Sequence, residues 1–189
     1  VTHLRKEFPD IKKINKAILN ITVLEHYELY INGQKPDDRF LAPGWTDYDK
    51  SCLYNTYDIT GILKTGNNAI GVVLGNGFYN INRERYWKLV ISYGYPKMVL
   101  LLDINYEDGS EEHIISDNTW KAAPSPTTFS SIYGGEDYDA GLEEKNWSSP
   151  GFIDSHWENA LLVKAPDGKL VPETDYPLKK LEVFQGKKI

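Results

Sequence analysis

The sequence predicts an all-β fold, an antiparallel two-sheet sandwich, and two observations lead to it. Apolar residues recur at every second position, most clearly in residues 26–32 and 98–106, and this period puts alternate side chains on opposite faces of a strand. Turn signals such as Asn32-Gly33 and Asp108-Gly109 separate the apolar stretches every 8 to 15 residues or so, which is typical of β-sandwiches. No stretch of useful length shows the period of an amphipathic helix.

The order of these stretches along the chain predicts one sandwich domain. Runs bounded by turn residues account for the expected strands: residues 17–33, 51–60, 70–74, 96–106 and the segment after Asp108-Gly109. The run at 70–74 is wholly apolar, as expected for a strand buried on both faces. From residue 166 the chain becomes polar and rich in proline. We therefore predict a β-sandwich domain over residues 1–165 and an exit segment over residues 166–189 that leads to a following domain.

Composition excludes several classes of function. A formal charge of -6 and a pI near 5.2 argue against nucleic acid as the partner, because phosphate binding needs a clustered basic face. No apolar run approaches the roughly 18 residues of a membrane span. Cys52 is the only cysteine, so neither an internal disulfide nor a Cys-based zinc site is expected. The chain starts at Val1 rather than Met, so we expect a piece of a longer protein, with the periplasm or the cell exterior favoured and the cytoplasm an alternative.

Two aromatic stretches follow predicted strands or turns and mix rings with side-chain oxygens. They are Trp45-Thr46-Asp47-Tyr48 and Asn76-Gly77-Phe78-Tyr79-Asn80. Sugars present apolar C–H faces and hydroxyl edges, so sugar sites combine aromatic rings with carboxylate and amide groups. The predicted sugar-binding residues are Trp45, Asp47, Tyr48, Asn76, Phe78 and Tyr79. The alternative is that Trp45 and Tyr48 fold back and cap the core.

No arrangement in the sequence predicts catalysis. Acidic residues cluster between residues 136 and 144, but among 27 acids such clusters are expected and are mostly solvated. The four histidines stand alone, without a nucleophile elbow. A further stretch, residues 82–97, is polar, aromatic and long for a β connection. Its Trp87 fits either sugar contact or docking on a neighbouring domain.

Several strings of this sequence resemble one family. "LAPGWTDY" and "YDITGILKTGNNAIGVVLGNG" are similar to the N-terminal β-sandwich domain of bacterial α-L-rhamnosidases, and the likeness runs from Arg5 to Trp157. The resemblance implies a jelly-roll, galactose-binding-like sandwich. One departure is Gly141 in Tyr138-Asp139-Ala140-Gly141, where the family usually has arginine. The tail "DYPLKKLEVF" looks like the linker to the next domain of such enzymes.

The resemblance also implies a function and its partners. It makes this chain a non-catalytic accessory domain of a glycoside hydrolase, with hydrolysis carried out by an (α/α) barrel elsewhere in the parent chain. The isolated chain is then expected to lack activity and to bind L-rhamnose or rhamnose-containing glycans. No cofactor is required, although a calcium ion in the sugar site is implied, with Asp47 and Asn76 as candidate ligands among nearby oxygens. The alternative is a purely structural domain that packs against the barrel without a ligand.

The position of the aromatic rings distinguishes these two functions. Rings that line one concavity together with Asp47 and Asn76 favour sugar binding. Rings spread over a flat apolar face of several hundred Å² or so favour docking.

Overall fold

The computed structural model describes residues 1–81, 85 and 92–186, and this part of the chain is an all-β sandwich, as predicted. Trp87 lies outside the described residues. The one helical element described is a 3-10 turn, Ala140–Leu142. The strands are β1 (Thr2–Ile11), β2 (Ile14–Leu24), β3 (Tyr27–Ile31), β4 (Ser51–Asp58), β5 (Gly66–Leu74), β6 (Lys97–Tyr106), β7 (Glu111–Ile115), β8 (Lys121–Pro124), β9 (Thr127–Ser131), β10 (Gly135–Tyr138), β11 (Glu158–Asn159) and β12 (Lys169–Pro172).

Two main sheets form the layers of the sandwich. The first, here called the β5 sheet, has the order β11-β8-β1-β5-β3, and the second, the β2 sheet, has the order β12-β4-β2-β6-β7. Strands β9 and β10 form a separate hairpin. Every described strand pair is antiparallel except β12 with β4, which is parallel. The two-sheet sandwich is therefore confirmed, and its pairing departs from the prediction only at this edge.

The core lies between the two sheets and explains the alternation in the sequence. Leu29 and Ile31 of β3 meet Leu19 and Ile21 of β2 in one continuous apolar cluster. On β6, Leu100, Leu102 and Ile104 face inward, while the residues between them are at least partly exposed. Burial of each such side chain stabilises the fold by about 1.5–3 kcal/mol. Shifting the pairing of β6 by one residue would turn the whole row toward solvent and lose this stabilisation.

The run at residues 17–33 is split between the two sheets. Strand β2 ends at Leu24 in one sheet, and β3 begins at Tyr27 in the other. Glu25, at the crossing, has a φ of 136°, a region that favours glycine. The alternating pattern continues across the crossing, so the sequence signal alone does not reveal that the strand changes layer.

Both predicted turns are present. Asn32 and Gly33 have φ values of 52° and 80°, and Gln34 N donates to Ile31 O at 3.0 Å. Gly109 has a φ of 81° between β6 and β7, and Tyr106 N donates to Ser110 O at 2.9 Å. Asn and Gly tolerate these positive φ values better than other residues, which is why the two dipeptides were informative.

The chain beyond residue 165 is attached to the sandwich through β12. Lys169 N donates to Lys50 O at 3.0 Å, directly after the loop that contains Trp45. Gly168 lies so close to this loop that a Cβ there would be 2.2 Å from the carbonyl oxygen of Tyr48. The division at residue 165 and the jelly-roll connectivity stay predictions. No helix in the described ranges is long and apolar enough to cross a membrane.

Gly168→Ala tests whether this close approach stabilises the protein. The added methyl group must push the tail away from Tyr48, because backbone atoms cannot yield as a flexible side chain can. We expect the free energy of unfolding to fall by about 1–3 kcal/mol and hydrogen exchange at Lys169 N to accelerate. Gly61→Ala is the matched control, since nothing lies within 4 Å of the added Cβ. Equal stability of the two variants in urea unfolding would contradict the close packing.

Candidate functional site

Three loops bring aromatic rings together at one end of the sandwich. Trp45, in the β3–β4 connection, is 62% exposed, and its ring centroid lies 5.2 Å from that of Phe78, in the β5–β6 connection. Tyr133, in the turn between β9 and β10, meets Phe78 edge-on at 6.1 Å. We call these three residues the aromatic strip. They form a surface of ring faces and edges that can pack against the apolar face of a ligand.

Tyr48 and Tyr79 lie beneath the strip rather than on it. Their side chains are 8% and 4% exposed, and they form a second core cluster with Leu24 and Cys52. The two rings meet edge-on at 5.2 Å, which is a favourable arrangement of aromatic quadrupoles. The cluster therefore ties together the two loops that carry Trp45 and Phe78. The sugar contacts expected for Tyr48 and Tyr79 stay predictions.

Asn76 holds the β9–β10 hairpin, which carries Tyr133, against the β5–β6 connection, which carries Phe78. Its Nδ2 donates to Ser130 O at 3.0 Å, and its backbone N donates to Ser130 Oγ at 3.1 Å. Its Oδ1 accepts a hydrogen bond from Asn80 Nδ2 at 3.1 Å. Both ends of the amide are thus engaged by the protein, and this fixes the hairpin that carries Tyr133 next to Phe78.

Asp47 is exposed beside Trp45 and forms a local turn. Its Oδ2 lies 2.8 Å from Lys50 Nζ, and its backbone O accepts from the N atoms of Lys50 and Ser51 at 2.9 Å. The hydrogen bond from Lys50 lowers the pKa of the Asp47 carboxyl group, which is therefore charged at neutral pH. It can accept hydrogen bonds from sugar hydroxyl groups at the edge of the strip.

The side-chain oxygens of Asp47 and Asn76 both contact other protein groups in this structure. A lysine ammonium group already neutralises the carboxylate, and the amide oxygen accepts a protein hydrogen bond. Calcium requires six to eight oxygen ligands. In the ranges that the structure describes, no group of three or more His, Cys, Asp and Glu side chains could hold a metal. Calcium at this site stays a prediction, and none of the chemistry below uses it.

Glu25 lies buried directly under the loop that contains Phe78. The residue is 3% exposed, and neither carboxylate oxygen has a hydrogen-bond partner of normal geometry. A Cβ at Gly77 would be 2.6 Å from Glu25 Oε2, so the loop lies directly on the carboxyl group. Burial raises the pKa of Glu25 from its ordinary 4.5 to about 8, and the backbone amides of Asn80 and Tyr79 oppose this shift in part. Glu25 is therefore mostly neutral at pH 7.

The segment after residue 165, here called the tail, also holds the loop of Trp45 in place through Glu173. Glu173 Oε1 accepts a hydrogen bond from Gly44 N at 2.7 Å, next to Trp45. Its Oε2 accepts another from Asn55 Nδ2, and its backbone N donates to Tyr54 O at 2.9 Å. One carboxylate thus joins the start of the loop to β4, and the exposed ring stands on a fixed backbone.

Sequence reasoning brought together four of the residues that meet at this end, and it missed three. Trp45 pairs with Phe78, and Tyr48 pairs with Tyr79, as their positions after strands suggested. Tyr133, Glu25 and Glu173 were not identified. For Tyr133 a signal exists, because Tyr133-Gly134-Gly135 places a ring beside glycines in a turn, as Gly77-Phe78 does.

A family profile matches nearly the whole chain. The profile describes the N-terminal domain of α-L-rhamnosidases and matches residues 12–182. An α-L-rhamnosidase from Formosa agariphila is 38% identical over 185 residues, which is 94% of this chain and 19% of the relative. A second, from Streptomyces avermitilis, is 35% identical over 98% of this chain and 18% of the relative. This chain therefore spans about a fifth of the length of these relatives.

Solved structures show the same fold. The α-L-rhamnosidase from Dictyoglumus thermophilum superposes with a TM-score of 0.86 at 45% identity, over 96% of this chain and 20% of that one. The Streptomyces avermitilis enzyme, complexed with L-rhamnose, superposes with a TM-score of 0.84 at 34% identity, over 96% of this chain and 18% of that one. A lectin from Pleurotus ostreatus, at 18% identity and a TM-score of 0.55, shares the fold alone.

The buried carboxyl group makes stability depend on pH. Because the pKa of Glu25 is higher in the folded than in the unfolded chain, the folded chain binds more protons between pH 4.5 and about 8. Its contribution to the free energy of unfolding is therefore present below pH 4.5 and is lost as pH rises to 8. Glu25→Gln, which keeps the shape and stays neutral, should be more stable than the parent at pH 8 by something on the order of 2–4 kcal/mol.

Urea unfolding at pH 4.5, 6 and 8 checks this expectation. The difference in stability between Glu25→Gln and the parent should grow steadily across the series. Glu182→Gln, at an exposed glutamate, is the matched control and should follow the parent at every pH. A constant difference between Glu25→Gln and the parent would show that Glu25 is not held neutral in the fold.

Proposed function

This chain belongs to the family of α-L-rhamnosidase N-terminal domains, and we propose that it is a carbohydrate-binding domain whose aromatic strip packs against L-rhamnose or a rhamnose-bearing glycan. The observation that carries the proposal is the pair Trp45 and Phe78, 5.2 Å apart, at an end of the sandwich where three loops meet. L-rhamnose, a 6-deoxysugar, exposes C–H groups and a methyl group, which ring faces bind well. The carboxylate of Asp47 is the acceptor for hydroxyl groups at the edge of the strip.

Three of the acidic residues between 136 and 144 form contacts within the fold, which supports a role in binding rather than catalysis. Asp137 pairs with Arg85, and Asp139 Oδ1 accepts from Gly141 N at 2.9 Å at the start of the 3-10 turn. Glu144 accepts from Trp157 Nε1 at 2.9 Å. Glycoside hydrolysis needs a facing pair of carboxyl groups about 5–10 Å apart, with one able to donate a proton. We propose that the parent chain supplies that pair outside this domain.

A second candidate function has its own observation. Large apolar side chains are exposed along the tail beyond residue 165, among them Leu178, Leu181 and Phe184. Such exposure favours a surface that packs against another part of the parent chain. We propose this docking role as the alternative, in which the aromatic strip contributes to folding alone. The tail and the strip are different surfaces, so mutations can separate the two roles.

Removing either ring of the strip should weaken sugar binding. For the unaltered chain we expect a dissociation constant for L-rhamnose between about 10 μM and 10 mM, because a monosaccharide offers few atoms. Trp45→Ala or Phe78→Ala should raise it about tenfold by removing the packing surface. Isothermal titration calorimetry or ligand-observed NMR, with and without added calcium, provides the measurement.

Phe184→Ala is the matched control, because Phe184 is an exposed ring on the tail. It should bind L-rhamnose with the affinity of the unaltered chain, and every variant should keep the melting temperature of the unaltered chain. If the unaltered 189-residue chain binds no L-rhamnose with calcium present, or if both strip variants bind it normally, the carbohydrate-binding proposal fails and the docking role stands.

A further inference from the structure

A groove lies on the outer face of the β5 sheet, away from the core. It measures about 750 Å³, which is within the usual size range of small-molecule sites. Its floor is formed by outward-facing residues of β1, β3 and β5, and its walls by the β9–β10 hairpin and the segment around Trp147. We call it the hairpin groove. We propose that it is a second ligand site, for an oligosaccharide without acidic groups, and that amine-bearing sugars bind it most tightly.

One wall of the groove is a tightly packed tryptophan. The ring of Trp147 stacks on His3 with centroids 4.0 Å apart and an angle of 10° between the planes. Tyr30 meets the same ring edge-on at 5.8 Å. A Cβ at Gly71 would be 2.8 Å from Trp147 Cζ3, so the ring rests on bare backbone of β5. The wall is therefore present before any ligand arrives.

A buried arginine anchors the segment that carries this wall. The Arg5 side chain is 1% exposed, its Nε donates to Trp147 O at 2.9 Å, and its Nη2 donates to Ser149 O at 3.1 Å. The same guanidinium group pairs with Asp154 and with Glu7. Hydrogen bonds to a buried charge are among the stronger ones in proteins. A groove held in this way binds a ligand without first having to order its own wall.

The charge of the groove selects its ligand. Glu28, Glu136, Glu143 and Glu144 line it, whereas no lysine or arginine does so among the described residues. Glu28 forms an ion pair with Lys35, and Glu144 is hydrogen-bonded to His156 and Trp157. Glu136 and Glu143 are exposed and have no ion pair within the described ranges. An anionic ligand would meet these like charges directly, and such contacts are unfavourable.

The other ionisable groups of the groove do not cancel this charge. Burial lowers the pKa of His3 to about 4, so its ring is neutral at pH 6 and above. Burial also lowers the pKa of His26, which lines the groove as well. The groove is therefore negative near neutral pH.

The remaining lining groups match a sugar chain. Ring surfaces come from Tyr30, Tyr138 and Trp147, and hydroxyl groups come from Thr127 and Ser130. This mixture suits ligands with apolar faces and many hydroxyl groups. The volume exceeds what one monosaccharide fills, which favours an oligosaccharide. An ammonium group on the sugar adds an attraction to Glu136 and Glu143 that a neutral sugar lacks.

The hairpin groove is separate from the aromatic strip. Trp45 and Phe78 do not line it, and Asn76, which does, has its side chain tied to Ser130 and Asn80. The proposal consequently does not rest on rhamnose binding. Trp45→Ala should leave binding in the groove unchanged, so failure of one proposal is distinguishable from failure of the other.

Calorimetric titration of the whole 189-residue chain at pH 6 tests the proposal. Three tetrasaccharides serve as probes: the β-1,4-glucosamine tetramer, its fully N-acetylated form, which has the same backbone without charge, and tetragalacturonate. We expect the amine form to bind at least about threefold more tightly than the acetylated form. Tetragalacturonate should show no binding. Equal binding of the anionic and amine forms would overturn the proposal.

Glu143→Lys locates the site. It should weaken binding of the amine form at least about tenfold, because it replaces an attraction by a repulsion inside the groove. Glu111→Lys, on exposed β7 outside the groove, makes the same change in net charge and should leave the affinity within about twofold. Equal losses in the two variants would mean attraction to the whole acidic molecule and would overturn the proposal. So would tighter binding of a lysine-rich peptide than of any of the three sugars.

Discussion

The edge-on contact between Tyr48 and Tyr79 is the interaction on which the functional end of the sandwich depends. Each ring belongs to a different long connection, and both are buried with Leu24 and Cys52 at the end of the β2 sheet. Since Trp45 and Phe78 lie close to these tyrosines in sequence, fixing the buried tyrosine pair also fixes the pair formed by Trp45 and Phe78. The buried contact thus turns two loops, which would otherwise move independently, into one surface.

Some of the surrounding groups stabilise this end of the sandwich, and one of them, Glu25, destabilises it. Glu173 holds the start of the Trp45 loop to β4, and Asn76 holds the β9–β10 hairpin to the Phe78 loop. Glu25 has the opposite effect, because a buried carboxyl group without hydrogen bonds of normal geometry and a φ of 136° both cost stability. Strain of this kind persists only where the surrounding contacts outweigh it, and here it lies directly under the aromatic strip.

Much of the fold and part of the site could be predicted from the sequence. Alternation and the Asn32-Gly33 and Asp108-Gly109 turns predicted the strands because both are local signals. The neighbouring positions of Trp45 and Phe78 followed from loops at one end of a sandwich. The sequence left open whether Trp45 and Tyr48 cap the core, and in the structure only Tyr48 does so. An irregular loop has no period, so neither this choice nor the inward orientation of Tyr79 could be predicted. Tyr133 and Glu173 join the site through contacts with residues far away in the sequence. Glu25 departs from the rule that buried polar groups are hydrogen-bonded.

Aromatic-ring NMR of the chain during titration with L-rhamnose tests the central claim most directly, namely that the buried tyrosines position the rings of the aromatic strip for the sugar. We expect the resonances of Trp45 and Phe78 to shift with added sugar, while the nuclear Overhauser contact between the Tyr48 and Tyr79 rings persists unchanged. Loss of that contact on binding, or shifts confined to rings outside the strip, would contradict the account.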